Sequence, residues 1–294
     1  MNSAIAPRHP DDLRRLRSLR LKGNATVCLP AVMGVLNVTP DSFSDGGRYF
    51  DRERAIAHGL EMVQAGADIV DVGGESTRPG AREIPADEEL ARVVPVVEAL
   101  VARAGVPVSV DTRKASVARA ALSAGARIVN DVSGLVFDAA MVETVAEADA
   151  GVVIMHMRGT PETMMRLARY RDVVGEVCAW LKARAAFAEK AGIRRSRIIL
   201  DPGLGFAKTA SHNLRLLAAL PRLCALGYPV LIGASRKSFI RRIAGAEPSD
   251  LSYACAAVNA LAVAAGASIV RVHEPAAARA ALRMALAVAE QGRR

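Results

Sequence analysis

Met33-Gly34-Val35-Leu36-Asn37-Val38-Thr39-Pro40-Asp41-Ser42-Phe43-Ser44-Asp45-Gly46-Gly47 decides how the chain is read. Its first half is apolar and β-prone, the pattern of a short buried strand. Its second half is Thr, Pro, Asp, Ser and Gly, the residues of a loop held in a particular shape. The change falls at Asn37, a polar amide where the hydrophobic run stops. The same order recurs down the chain: short apolar strand, polar residue at its C-terminal end, loop with Gly or Pro, helix.

Working outward, the pattern gives eight strands, at Val32–Asn37, Ile69–Val72, Val106–Val110, Arg127–Asn130, Val152–Met155, Arg197–Leu200, Pro229–Ile232 and Ser268–Val272. Ala- and Leu-rich segments of helical spacing lie between most of them, such as Arg54–Ala65, Asp87–Ala104, Lys114–Ala124 and Val173–Ala191. Ala-Gly ahead of a strand recurs at Ala65-Gly66, Ala124-Gly125 and Ala265-Gly266, which is helix-stop chemistry in a βα repeat. Eight such units in 294 residues favour an α/β fold of the (β/α)8 TIM-barrel type in a single domain. An open doubly wound sheet would carry a Gly-rich fingerprint after its first strand, and Asn37-Val38-Thr39-Pro40 is not one. Residues 1–28 read as an Arg-rich N-terminal tail or short lead-in, with a short strand or helix, and 29–294 as the barrel.

Composition narrows the function classes. Hydrophobic residues make up 51% of the chain and aromatics 4%, which suits parallel strands under Ala-rich helices. The formal charge of +9 comes from scattered arginines, without interleaved aromatics or a groove-reading helix. A nucleic-acid partner is not expected, and attraction of anionic small molecules is the remaining use of that charge. Cys28, Cys178, Cys224 and Cys255 form no CxxC pair or metal-ligand spacing and read as small buried residues in a reducing compartment. The N-terminus lacks the apolar core of a signal peptide. The apolar run Ala254–Val270, broken by Asn259 and Gly266, reads as helix, turn and strand rather than a membrane span. A cytoplasmic protein without a membrane partner is the expectation.

In a (β/α)8 barrel the chemistry lies at the C-terminal strand ends. Here these carry Asn37, Asp71, Asp111, Asn130, His156, Asp201, Ser235 to Lys237, Arg271 and His273. Each has a plain alternative: Asp111-Thr112 suits a helix cap, and Asp71 reads as a brace for the loop behind it. Capping alone does not account for a polar residue at every strand end. Acids and amides (Asp111, Asn130, Asp201) come from the middle strands, cations and hydroxyls (Ser235, Arg236, Lys237, Arg271, His273) from the last two. Loops after strands seven and eight tend to hold phosphate in this fold. Carboxylates suit the N–H edge of a planar heterocycle. The pattern implies a substrate with an anionic end and an N–H-rich ring. Asn37–Gly47 and Glu75–Gly80 are longer than packing needs and read as lids. Gly203-Leu204-Gly205-Phe206 offers a pliable backbone and an aromatic face, though a lone Gly-x-Gly is weak evidence.

Taken together the motifs resemble the dihydropteroate synthases of the folate pathway, from about Ala31 to Pro275. The resemblance is carried by Gly34–Gly47, Asp71-Val72-Gly73-Gly74-Glu75-Ser76-Thr77-Arg78-Pro79-Gly80, Val110-Asp111-Thr112, Val129-Asn130-Asp131 and Met155-His156-Met157. Asp201-Pro202-Gly203-x-Gly205-Phe206, Ser235-Arg236-Lys237-Ser238 and Arg271-Val272-His273 complete it. Leu204 and Ala207 fall where members of the family vary, and the N-terminal tail lies outside the match.

The resemblance implies a transferase joining 6-hydroxymethyl-7,8-dihydropterin diphosphate to p-aminobenzoate, with Mg2+ as cofactor, a homodimer, and inhibition by sulfonamides through Phe43, Pro79 and Ser235. By position it implies Asp111, Asn130, Asp201 and Lys237 in the pterin pocket, with Met155 also binding substrate. Asn37, Arg271 and His273 fall at the diphosphate, Asn37 also at the metal. Thr77 and Arg78 fall in the second loop, and Phe206 and Ser235 at p-aminobenzoate. Asp111, Lys237 and Arg78 are the expected catalytic residues. An arylamine is neutral at pH 7, so the burden is the leaving group, whose charge must be met by metal and cations. The readings that compete are a pterin-binding barrel of the methyltetrahydrofolate methyltransferase type and a catalytically silent paralogue.

Overall fold

The computed structural model describes residues 18–39, 48–245 and 251–291. The expected lid at Asn37–Gly47 therefore lies mostly outside the described residues.

The chain opens with an antiparallel hairpin, β1 (Ser18–Arg20) and β2 (Thr26–Cys28). Eight parallel strands follow: β3 (Ala31–Asn37), β4 (Ile69–Gly73), β5 (Val108–Asp111), β6 (Ile128–Asp131), β7 (Gly151–Met155), β8 (Ile198–Asp201), β9 (Leu231–Ile232) and β10 (Ile269–Val272). Neighbours in sequence pair in order from β3 to β8, while β10 lies between β3 and β9. A parallel bridge from Leu200 to Val230 brings β8 and β9 together and closes the ring. Helices cover the outside: α1 (Arg48–Gln64), α2 (Ala86–Arg103), α3 (Ala115–Ser123), α4 (Met141–Ala148), α5 (Val173–Lys190), α6 (Ala210–Ala218), α7 (Leu220–Cys224), α8 (Ser238–Ala244), α9 (Leu251–Ala264) and α10 (Pro275–Gln291). This is the (β/α)8 barrel. Among the described residues no helix is long and apolar enough to cross a membrane.

The expected strands are present, with shifted ends. Those at Val106 and Pro229 start two residues later because proline cannot donate to the ladder; Pro107 and Pro229 only accept, from Val70 and Leu200. The Ala-Gly stops behave as read. Gly125, at φ +107°, sits where a Cβ would come within 2.7 Å of Val101 Cγ1, so only glycine turns the chain there.

Alternation along the strands sorts the side chains into layers. Outward residues such as Val72, Val110, Val129, Val152 and Leu200 pack under the helices. Inward residues Met33, Ile69, Ile128, Val153, Ile199, Leu231 and Ile269 fill the lower barrel. The lead-in hairpin belongs to this layer: Leu19, Leu21 and Val27, at most 3% exposed, close the barrel floor. Each such side chain contributes about 1.5–3 kcal/mol by burial. One side-chain repeat up, five of the eight strands carry a polar or charged side chain: Asp71 follows Ile69, Asp111 follows Ser109, Asn130 follows Ile128, Asp201 follows Ile199 and Arg271 follows Ile269. A step of two residues, about 6.6 Å, separates the dry floor from the polar mouth.

Candidate active site

The middle of the mouth is a hydrogen-bonded chain. Arg271, on β10, donates from Nε to Asp71 Oδ2 and from Nη2 to Asp111 Oδ2, both at 2.6 Å. Asn130 Nδ2 donates to the same Asp71 oxygen at 2.9 Å. Asp111 Oδ1 and Asp71 Oδ1 are buried and have no partner among the described residues. An unpaired buried carboxylate oxygen is costly unless a ligand meets it. Burial pushes the Asp111 carboxyl up to about 7 against the pull of Arg271. Asp111 is thus part of the mouth, not a helix cap; Asp138 Oδ2 takes the Ala115 N–H at the start of α3 instead. Asp71 corrects a reading: it braces no loop, because β4 runs on to Gly73 and strand parity points its side chain into the barrel.

Beside this chain lies the Asp201 loop. Asp201 Oδ1 accepts the Gly203 N–H at 2.7 Å, and burial pushes its carboxyl up to about 6. Gly203, at φ +68°, is obligatory: a Cβ there would fall 2.1 Å from the His156 carbonyl oxygen. The loop brings the Phe206 ring under Lys237, whose Nζ lies 4.3 Å from the ring centroid. Burial, with Arg271 nearby, lowers the Lys237 ammonium to about 8, while Asp201 and Asp111 oppose the fall. Phe206 shares an apolar patch with Met155, Met157 and Met164. Burial, with Arg236, Arg271, Lys237 and Arg78 around it, pushes His273 down to about 3, so its imidazole is neutral. Ser235 Oγ lies 3.1 Å from its Nδ1. Asn37 ends β3 beside Gly73, half-buried. Thr77 and Arg78 sit in the exposed part of the loop after β4.

The structure therefore brings Asp111, Asn130, Asp201, Lys237, Arg271 and His273 into one electrostatic unit. Arg236, grouped with them in sequence, pairs instead with Glu274 at 3.2 Å. His156 turns away from the mouth, edge-on to Trp180 with centroids 5.0 Å apart.

Two arrangements escaped the sequence reading. Lys208 is 2% exposed, and its Nζ reaches His156 Nδ1 at 3.0 Å and the carbonyls of His156 and Phe206 at 3.2 and 2.9 Å. It ties the loops after β7 and β8 together; burial lowers its ammonium to about 7. The second is the base of the Thr77–Arg78 loop. Glu75 takes Arg113 Nη2 at 2.5 Å, Lys114 Nζ at 2.6 Å and the Ile84 N–H at 3.1 Å, and Lys114 also reaches Glu89 at 2.6 Å. The loop base is fixed while its outer turn, held by Gly80 N–H to Pro161 O at 3.0 Å, stays exposed.

Buried acids bridged by Arg271, with Lys237 and His273 beside them, above a sealed floor, define a barrel enzyme class that takes a small charged heterocycle at its strand tips. Comparison with known proteins narrows this. The chain belongs to the pterin binding enzyme family, whose model matches residues 33–273. It is 54% identical over 260 residues to the dihydropteroate synthase of Mycobacterium leprae, covering 86% of this chain and 91% of the relative. The dihydropteroate synthase of Xanthomonas albilineans in complex with 7,8-dihydropteroate superposes with a TM-score of 0.83 at 44% identity, over 92% of this chain and 98% of that one. The Yersinia pestis dihydropteroate synthase, in a sulfonamide drug complex, gives 0.87 at 40% identity, over 93% and 99%.

Proposed function

We propose that the chain is a dihydropteroate synthase, joining 6-hydroxymethyl-7,8-dihydropterin diphosphate to p-aminobenzoate and releasing diphosphate. The observation that carries the reading is Asp111, a buried carboxylate with one oxygen paired to Arg271 and the other unpartnered at the mouth. As the pterin C–O bond stretches, positive charge spreads into the ring, and that oxygen stabilises it at low local dielectric. Asn130, Asp201 and Lys237 hold the heterocycle. Arg78, Arg271 and His273 face the departing anion. Met155, Phe206 and Ser235 shape the p-aminobenzoate cleft. The arylamine nitrogen then forms the new C–N bond and loses its proton. This order of events is dissociative; steep slowing by electron-withdrawing aniline substituents, with no diphosphate loss before attack, contradicts it.

Mg2+ supplies charge neutralisation on the diphosphate when bound. Among the described residues no cluster of three His, Cys, Asp or Glu could hold a metal. Asn37 offers one hard oxygen donor at the mouth, which fits an ion that keeps waters and takes most of its ligands from substrate phosphates.

A homodimer is part of the proposal: Tyr253 and Leu261 on α9, with Met284 and Val288 on α10, are each at least 65% exposed and offer an apolar face to a second copy. Of the four cysteines only Cys255 is buried and Cys28 is exposed, which corrects their reading as buried residues; their free thiols support a reducing, cytoplasmic setting. Sulfonamides would compete with p-aminobenzoate at Pro79 and Ser235; Phe43 lies outside the described residues.

The decisive assay is diphosphate release with and without p-aminobenzoate and Mg2+. Sustained release that needs both Mg2+ and p-aminobenzoate is expected, with at most about one diphosphate per site lost when p-aminobenzoate is left out. Pterin binding with no release, as for a methyltransferase-type barrel or a silent paralogue, overturns the reading.

A further inference from the structure

Asp71 is 0% exposed and sits at the centre of the mouth, yet it caps no helix and closes no loop. Among the described residues, each bond from its side chain goes to a residue of the site: Asn130 Nδ2 at 2.9 Å and Arg271 Nε at 2.6 Å. Its other oxygen is buried and unpartnered. The group beside it on β5, Ser109 Oγ in the facing register, is unpartnered too. A purely structural carboxylate would not be kept in so dry a place with so few ties, because removing it from water costs several kcal/mol.

The consequence for Asn130 follows from donor and acceptor chemistry alone. An ionised carboxylate only accepts, so the amide must present Nδ2 to Asp71. Its remaining group, Oδ1, is then an acceptor and takes no bond from any described residue. Arg271 is constrained in the same way. With Nε on Asp71 and Nη2 on Asp111, the guanidinium plane is fixed and Nη1 is left without a protein partner among the described residues. We propose that Asp71 is the positioning residue of the site: it locks Asn130 as a hydrogen-bond acceptor, so that the pocket selects a ligand edge carrying N–H donors, and it sets the plane of Arg271 toward the anion. This deepens the function proposed above and rests on it.

The test is calorimetric titration of the full-length protein with 6-hydroxymethylpterin, alongside steady-state kinetics. Asp71→Asn puts either an amide nitrogen or a neutral oxygen where Asn130 and Arg271 share Asp71 Oδ2, so Asn130 is either turned round or held more weakly. Pterin affinity should fall by about tenfold or more, the scale of one unmade buried hydrogen bond. The KM for p-aminobenzoate should stay within about twofold, since that cleft is untouched. The double variant Asp71→Asn/Asn130→Asp keeps the net charge and leaves a group at position 130 that can only accept, while Arg271 Nε loses the oxygen it shared with Asn130. It should bind pterin at least about fivefold more tightly than Asp71→Asn alone.

Wild-type protein that binds no pterin overturns the proposed function and this inference with it. Wild-type binding that Asp71→Asn leaves unchanged overturns the inference alone. Equal loss for pterin and p-aminobenzoate, without recovery in the exchanged variant, reduces Asp71 to a fold residue. Should Asp71→Asn not fold, the Asn130 side-chain amide protons of wild type decide by NMR, assigned through their loss in Asn130→Ser. They should be protected from exchange before pterin is added and keep their shifts afterwards; a large pterin-induced shift refutes the locked acceptor.

Discussion

Asp201→Asn separates the demands of folding from those of binding at one atom. Asp201 is 6% exposed, and the only hydrogen bond to its side chain from a described residue is the Gly203 N–H, which an amide oxygen also accepts. The substitution is isosteric and removes only the charge. Burial raises this carboxyl from 3.8 to about 6 in the folded chain. Because the folded value lies above the unfolded one, the stabilising contribution is complete below about pH 3.8 and is lost as pH rises through about 6. At 1.36 kcal/mol per pH unit, the ionised group costs the folded state about 3 kcal/mol above that window. The attraction of Lys237, Lys208 and Arg271 for the carboxylate is already contained in that raised value. The expectation is a ligand-free variant about 3 kcal/mol more stable than wild type near pH 7.5, with the difference vanishing toward pH 4. Pterin affinity moves the other way, by about a hundredfold, because a charge-assisted acceptor for ring N–H groups is gone. Urea denaturation at about pH 4.5, 6 and 7.5, paired with pterin titration, measures both. A variant that is less stable at every pH, or whose difference from wild type does not change with pH, refutes the reasoning.

Other substitutions probe the supports of the site. Gly203→Ala forces a Cβ to 2.1 Å from the His156 carbonyl oxygen at a φ of +68°, so the loop must shift and release Asp201. Backbone strain of about 1–2 kcal/mol and about tenfold weaker pterin binding are expected, and unchanged titration would contradict the placement of that loop. Leu19→Ala opens the barrel floor and should cost about 2–4 kcal/mol in denaturant melts. Its kcat should match wild type at temperatures where it stays folded, and a fall in kcat would mean the floor reaches the site. Lys114→Met leaves Glu89 buried without its cation and Glu75 with Arg113 alone. A loss of about 3–5 kcal/mol, with a raised KM for the pterin diphosphate, is the expected outcome; a normal KM would free the Thr77–Arg78 loop from dependence on its base.

The barrel was legible because each strand announces itself twice, by an apolar run and by the polar residue that ends it. Ile69–Val72 and Arg127–Asn130 differ from the observed β4 and β6 by a residue at each end at most. What the pattern blurred has local causes. Proline at 107 and 229 extends the apolar run beyond the ladder it can join. The lead-in carried its own signal, Leu19 and Leu21 in alternation, but the surrounding arginines masked it; only the finished ring shows that these leucines have a floor to fill.

The site was legible by residue type and not by pairing, and the difference is physical. A strand end tells which side chains arrive at the mouth, since parity and position suffice. It does not tell which of them face one another, because partners come from strands far apart in sequence: Arg271 meets Asp71 across 200 residues and Asp111 across 160. Asp71 was misread for that reason. Two further strand residues, Val72 and Gly73, place it one pleat below the rim, where a carboxylate can orient an amide and a guanidinium together but cannot reach a loop. Lys208 was missed because lysine in a loop normally seeks water, and only the close approach of the β7 and β8 loops, made possible by Gly203, buries it. Burial drives Asp111, Asp201, Lys237 and His273 toward neutrality, while Arg271 keeps its charge and links Asp71 to Asp111. A flat ligand with N–H donors along one edge and an anion at the other end would supply partners that the fold leaves unsatisfied, so the cost of burying these groups without a ligand is itself the basis of selective binding.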